Sequence, residues 1–142
     1  MEKIMVIFLL IVNIASLCRC DKIAMDKKYS IIVMNNASHS ISCYFALGGY
    51  YGTVYPDTSL PASNQYIIND IKAGSRYYYD SGIEWEEIYS RLPKDTMSVF
   101  FFHSDTLKAY SWEKIRNDYN ILKRYDLSLD DLNRMNWIIT YP

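Results

Sequence analysis

The stretch from Met97 to His103 constrains the fold more than any other, because Val99, Phe100, Phe101 and Phe102 follow one another without a polar break. Successive side chains of a strand point to opposite faces, so this run predicts a central strand with apolar cover on both sides. Ser40 to Leu47 alternates instead. Ile41, Cys43, Phe45 and Leu47 share one face, and Ser40, Ser42, Tyr44 and Ala46 the other, which predicts a half-buried strand.

Shorter strand signals surround these two. Ser30 to Met34 is β-branched and runs into the turn pair Asn35-Asn36. Gly48-Gly49 reads as a hairpin turn, with Tyr50 to Tyr55 as its partner strand. Pro56 to Pro61 is a loop. Tyr66 to Ile71 and Ser75 to Tyr79 are strands around the turn Lys72-Ala73-Gly74. Ile121 to Tyr125 and Trp137 to Tyr141 complete the set.

The period changes in two places. Trp85, Ile88, Tyr89 and Leu92 lie at i, i+3, i+4 and i+7, one face of a helix, and Ser81-Gly82-Ile83-Glu84 before them predicts a capping box. Trp112, Ile115 and Tyr119 repeat that spacing behind Ser111. Ser128 to Leu132 opens a short capped helical turn. Many short strands with two or three short helices predict a mainly β chain, an antiparallel β-sandwich of immunoglobulin-like type. An α+β sheet with helices on one face is the alternative.

The N-terminus reads as an address. Lys3 precedes the unbroken apolar run Ile4 to Val12, which is too short to span a bilayer as a helix. A charged start, a short apolar middle and small residues after it match a secretory signal. Residues 1–19 are thus assigned to a signal peptide, 20–28 to a charged tether and 29–142 to one β-rich domain. At 142 residues the chain suits one domain better than two.

Three cysteines are present, and only Cys43 lies in the body of the domain, so disulfides are not expected to hold it. With a net charge of −1 there is no basic excess to neutralise a phosphate backbone, so nucleic acid is not an expected partner. The two histidines, His39 and His103, have no metal-ligand spacing, and no Cys-x-x-Cys, Gly-x-Ser-x-Gly or phosphate-binding glycine loop occurs. Cys43, His103 and Asp105 could be read as nucleophile, base and orienter, but a thiol on the Ile41–Phe45 face is more simply a core residue. Asp70 with Asp80, or Glu84 with Glu86, could be read as an acid/base pair, yet each also fits a turn or cap. No catalytic residue, metal site or cofactor is therefore assigned.

Ala15-Ser16-Leu17-Cys18-Arg19-Cys20-Asp21-Lys22 resembles a bacterial lipoprotein signal, with Leu17 three residues before Cys20 and Arg19 where the pattern carries a small residue. The resemblance implies lipidation at Cys20, with Cys18 as the other choice. Together with the loop Tyr55 to Pro61 and the tail Leu122 to Leu132, this start resembles a group of small exported proteins of Bacteroidota. That resemblance implies a compartment, the outer membrane or cell surface with the periplasm as alternative, and no chemistry.

The functional hint in the residues themselves is tyrosine. The chain has 14, including Tyr77-Tyr78-Tyr79 on one strand, whose alternating faces cannot all be core, and Tyr50 and Tyr51 near the glycine turn. Exposed aromatic rings stack on sugar rings or on peptide side chains. The expected function is a non-enzymatic, lipid-anchored envelope binding domain whose partner is an envelope protein or a glycan, with Tyr50, Tyr51, Tyr77, Tyr78 and Tyr79 as candidate contacts. An immunity or inhibitor protein is the alternative, and a hydrolase the least favoured reading.

Overall fold

The computed structural model describes residues 29–49 and 52–142. The expected signal peptide, the expected lipidation at Cys20, the expected tether and both Tyr50 and Tyr51 lie outside the described residues. Among the described residues seven strands form two sheets. Sheet one has the order β4-β1-β7, from β1 (Ser30–Asn35), β4 (Arg76–Asp80) and β7 (Ile138–Tyr141). Sheet two has the order β3-β2-β5-β6, from β2 (Ile41–Ala46), β3 (Ile68–Ile71), β5 (Thr96–His103) and β6 (Lys123–Ser128). The Phe-rich strand β5 is interior to its sheet, between β2 and β6, as its two-sided apolar pattern predicts.

The sheets face each other across one core. Ile31, Val33 and Ile139 of sheet one meet Ile41, Cys43, Phe45, Met97, Val99 and Phe101 of sheet two. Helix α1 (Trp85–Tyr89) and helix α4 (Leu129–Arg134) add Trp85, Tyr89 and Leu132 to this core. The back of sheet two is covered as well. Tyr44, Ala46, Phe100 and Phe102 pack under Leu60, Ile67 and Ile115, joined by Leu107 of α2 (Ser104–Ala109) and Trp112 of α3 (Trp112–Asn117). The loop carrying Leu60 is tied down there: Trp112 Nε1 donates to the Pro61 carbonyl at 3.0 Å and Arg116 Nε to the Leu60 carbonyl at 3.3 Å. The molecule is thus three layers, sheet on sheet on helices.

Several expectations need correction. β7 runs parallel to β1, so the pairing is not wholly antiparallel, and the helical third layer fits the α+β alternative better than an immunoglobulin-like sandwich. β2 is buried along its whole length rather than on one face, because α3 and the Leu60 loop cover Tyr44 and Ala46. No strand follows the glycine turn over 52–55, and β2 pairs instead with β3 and β5. β3 begins at Ile68 and β6 at Lys123, each later than the apolar pattern indicates. The Ser81 capping box is not formed: Ser81 Oγ accepts only the Ile83 amide, and α1 starts behind Glu84 without a side-chain cap. Helix α2 was not foreseen. Its polar sequence, Ser-Asp-Thr-Leu-Lys-Ala, has too few apolar residues to show a period.

Candidate functional site

Where β2 ends, its backbone enters the left-handed region at Gly48 (φ 77°) and Gly49 (φ 94°). A side chain at Gly48 would collide with Val54, and one at Gly52 would come within 2.6 Å of the Gly48 carbonyl oxygen. Glycine at both positions lets the chain fold back on itself tightly. The returning segment is pinned by the Thr53 amide, which donates to the Tyr44 hydroxyl at 3.2 Å.

Beside this turn lies a cleft of about 310 Å³ lined by Tyr44, Phe45, Leu47, Tyr66, Ile68 and Tyr79, with Gly48 and Gly52 at its rim. Four of its walls are aromatic rings, and three of those end in a hydroxyl. Tyr66 stands 55% exposed at the mouth, whereas Tyr44 and Phe45 lie at the back. Tyr79 arrives from sheet one, half-buried, and stacks on Phe45 from sheet two. Burial pushes its phenol above the ordinary range, so it stays protonated and can both donate and accept.

The three consecutive tyrosines are therefore split. Tyr79 lines the cleft. Tyr77 pairs with Val33 and Tyr78 with Ile32, so they point to opposite faces of sheet one, exposed by 37% and 52%. Neither lines the cleft. Tyr44, Tyr66 and Phe45 were missed in the sequence: Tyr44 and Phe45 read as ordinary strand positions, and Tyr66 joins the cleft only through the path of the 56–67 segment.

The other candidate chemistry separates in space. Cys43 is fully buried, and that burial raises its thiol pKa far above the range where a thiolate forms. The candidate base is engaged elsewhere: His103 Nδ1 accepts the Asp105 amide at 3.2 Å as the cap of α2, and its ring stacks on His39 with centroids 4.5 Å apart. Asp70 sits on β3 paired with Lys108 at 2.8 Å, while Asp80 sits on β4 in the other sheet and accepts from Ser30 Oγ. Among the described residues no group of three His, Cys, Asp or Glu side chains could hold a metal ion.

A second pocket of about 320 Å³ lies where β3 meets α2, lined by Ile67 and Leu107 as well as by Asn64, Asn69, Asp70, Ser104 and Lys108. Ser104 and Lys108 lie one helical turn apart and could suggest a serine–lysine dyad. The hydrogen bond to Asp70 raises the Lys108 pKa, so the amine stays an ammonium and cannot act as base. Ser104 Oγ is instead bonded to Ser42 Oγ at 2.8 Å, a buried link between α2 and β2.

Compared with family models, with curated proteins and with solved structures, the chain matches none. The aromatic cleft is consequently defined by its own geometry.

Proposed function

We propose that this chain is a non-enzymatic binding domain of the cell envelope, held at a membrane by a lipid on Cys20, whose aromatic cleft receives a sugar ring of an envelope glycan. One observation carries the reading: Tyr44, Phe45, Tyr66 and Tyr79 converge on a single cleft of about 310 Å³, the lower end of the size range of small-ligand sites. Aromatic faces stack on the apolar faces of a pyranose, and phenol hydroxyls meet its hydroxyls. A purely apolar ligand would contact only the ring faces and make no hydrogen bond to the phenol groups.

The test uses fluorescence. Trp85 packs against Tyr79 with centroids 5.7 Å apart, so its emission reports on the cleft. Titration with chitobiose, cellobiose and mannobiose should change the emission saturably for at least one sugar. Tyr66→Ala should remove that response while leaving the unfolding midpoint close to wild type, since Tyr66 is largely exposed. If no sugar changes the emission, or Tyr66→Ala binds as wild type does, the glycan reading fails. A single protein cross-linked in native envelopes would then favour the inhibitor-type alternative. Anchoring is tested separately, with a clickable fatty acid that should label the wild type and not Cys20→Ala. Retained label moves the site to Cys18.

A further inference from the structure

A sheet edge presents unpaired N–H and C=O groups, and proteins blunt such edges with charges, bulges or short strands. Among the described residues four strands lie at sheet edges: β3 and β6 in sheet two, β4 and β7 in sheet one. β3 is four residues long, its register against β2 is broken, and Asp70 within it has φ 58°. β6 begins with Lys123-Arg124. β7 is only four residues long. β4 carries its two charges, Arg76 and Asp80, at opposite ends and opposite in sign, and has no bulge. Its five residues, Arg-Tyr-Tyr-Tyr-Asp, pair with β1 in unbroken register, and among the described residues no strand pairs with its outer side.

The direction of its backbone groups follows from the pairing. The Asn35 amide donates to Ser75 O at 3.0 Å and the Ser81 amide to Tyr29 O at 2.7 Å, so residues 75 and 81 turn their hydrogen-bonding groups toward β1. In an antiparallel ladder these positions alternate. Tyr77 and Tyr79 therefore also point inward, and the N–H and C=O groups of Arg76, Tyr78 and Asp80 point outward.

We infer that β4 pairs with β4 of a second copy of this chain, antiparallel about a two-fold axis at Tyr78, merging the two copies of sheet one into a continuous sheet. The strand is complementary to itself in that register alone. Tyr78 lies opposite Tyr78 of the other copy, both turning backbone groups to the axis. Arg76 lies opposite Asp80 at each end, on the same face of the sheet, so both outward-facing positions meet the opposite charge. A shift by two residues breaks both ion pairs, and a shift by one sets inward-pointing groups against outward-pointing ones. A two-fold interface must be self-complementary in this way. The exposed rings of Tyr77 and Tyr78 supply the aromatic cross-strand contacts such a junction uses.

Sedimentation velocity on the exported protein should show a dimer. Arg76→Asp and Asp80→Arg each place like charges opposite one another twice, and each should weaken self-association on the order of tenfold. An equimolar mixture of the two variants should dimerise as strongly as wild type, because each introduced charge then faces its opposite. Tyr78→Pro removes an outward N–H that β1 does not use, so it should give a folded monomer by circular dichroism. A wild type that stays monomeric at every concentration reached, single variants that dimerise unchanged, or a mixture of folded variants that stays monomeric would each overturn the inference.

Discussion

Phe45 on β2 and Tyr79 on β4 stack across the space between the two sheets, with ring centroids 4.4 Å apart and planes 20° from parallel. Tyr79 also leans on Trp85 of α1, so one half-buried ring joins sheet one, sheet two and a helix. The same ring forms a wall of the aromatic cleft. The inter-sheet stack and the cleft wall therefore meet in one residue, and the two roles are separable by substitution. Tyr79→Phe keeps the ring and should leave the urea midpoint close to wild type while weakening any sugar that bonds the hydroxyl. Tyr79→Ala removes the ring and should cost about 2 kcal/mol, less than truncating a fully buried aromatic. Equal midpoints for the two variants would show that the stack contributes nothing to the joining of the sheets.

Cys43 provides a second test, because its environment decides between core and nucleophile. It sits at zero exposure between Ile41 and Phe45 on the face of sheet two that meets sheet one. Burial disfavours the thiolate, which is the reactive form. The folded protein should react with a thiol reagent at this position far more slowly than the denatured protein. Cys43→Ala should cost about 1 to 2 kcal/mol and leave cleft binding unchanged. Rapid labelling of Cys43 in the native protein, read by mass spectrometry of its peptide, would contradict this account.

The residues that carried a clear period were legible in the sequence, and those placed by tertiary contact were not. The run Val99 to Phe102 announced a covered central strand, and β5 is one. Trp85, Ile88, Tyr89 and Leu92 announced a buried helical face; Trp85, Tyr89 and Leu92 are buried and Ile88 half-buried, but α1 ends at Tyr89 and Leu92 lies beyond it. Ser128 announced a cap: its hydroxyl and Asp131 form a reciprocal capping box. The Ser81 signature failed although its pattern is the same, since Ser81 Oγ is drawn to the Ile83 amide two residues on. The alternation of β2 was real but its meaning was incomplete. Periodicity identifies two faces, and only the rest of the chain decides that α3 and the Leu60 loop cover the second one. The cleft was half legible. Tyr79 was marked by the tyrosine run, but Tyr44 reads as an ordinary strand position and Tyr66 reaches the cleft only through the path of the 56–67 segment.

Two tyrosine hydroxyls in the interior make a contrast that hydrogen-bond energetics can predict. Tyr89 is buried, and among the described residues its hydroxyl has no partner. A buried hydroxyl without a partner is a desolvation cost, so Tyr89→Phe should be neutral or stabilise by up to about 1 kcal/mol. Tyr44 is buried too, but its hydroxyl accepts the Thr53 amide. Tyr44→Phe leaves that amide unpaired and should destabilise by about 1 kcal/mol. Thermal and urea unfolding of the two variants should shift in opposite senses, or Tyr89→Phe should not shift at all. A loss in Tyr89→Phe as large as that in Tyr44→Phe would mean that the Tyr89 hydroxyl has a partner.

The acid limb of stability should be traceable in part to the start of α4. Asp131 accepts from the Ser128 hydroxyl at 2.6 Å and from the Ser128 amide at 2.9 Å, and it pairs with Arg134. The Ser128 hydroxyl bond is the leading cause, with the amide and Arg134 behind it, and together they push the carboxyl down to about 2. An unfolded aspartate titrates near about 3.9. Because the folded value is the lower one, the unfolded chain takes up the proton first as pH falls. The contribution is therefore complete above about pH 4 and is lost as pH drops through the window from about 4 to 2. Asp131→Asn has no carboxyl to protonate, so its unfolding midpoint should fall less steeply with pH across that window than wild type does. Asp57, also lowered by its bonds to Ser59, should leave a residual slope in both proteins. Ser128→Ala removes the reciprocal cap and should cost about 1 kcal/mol at neutral pH, where Asp131 is fully charged. Parallel acid limbs for wild type and Asp131→Asn would show that this capping box does not set the pH dependence.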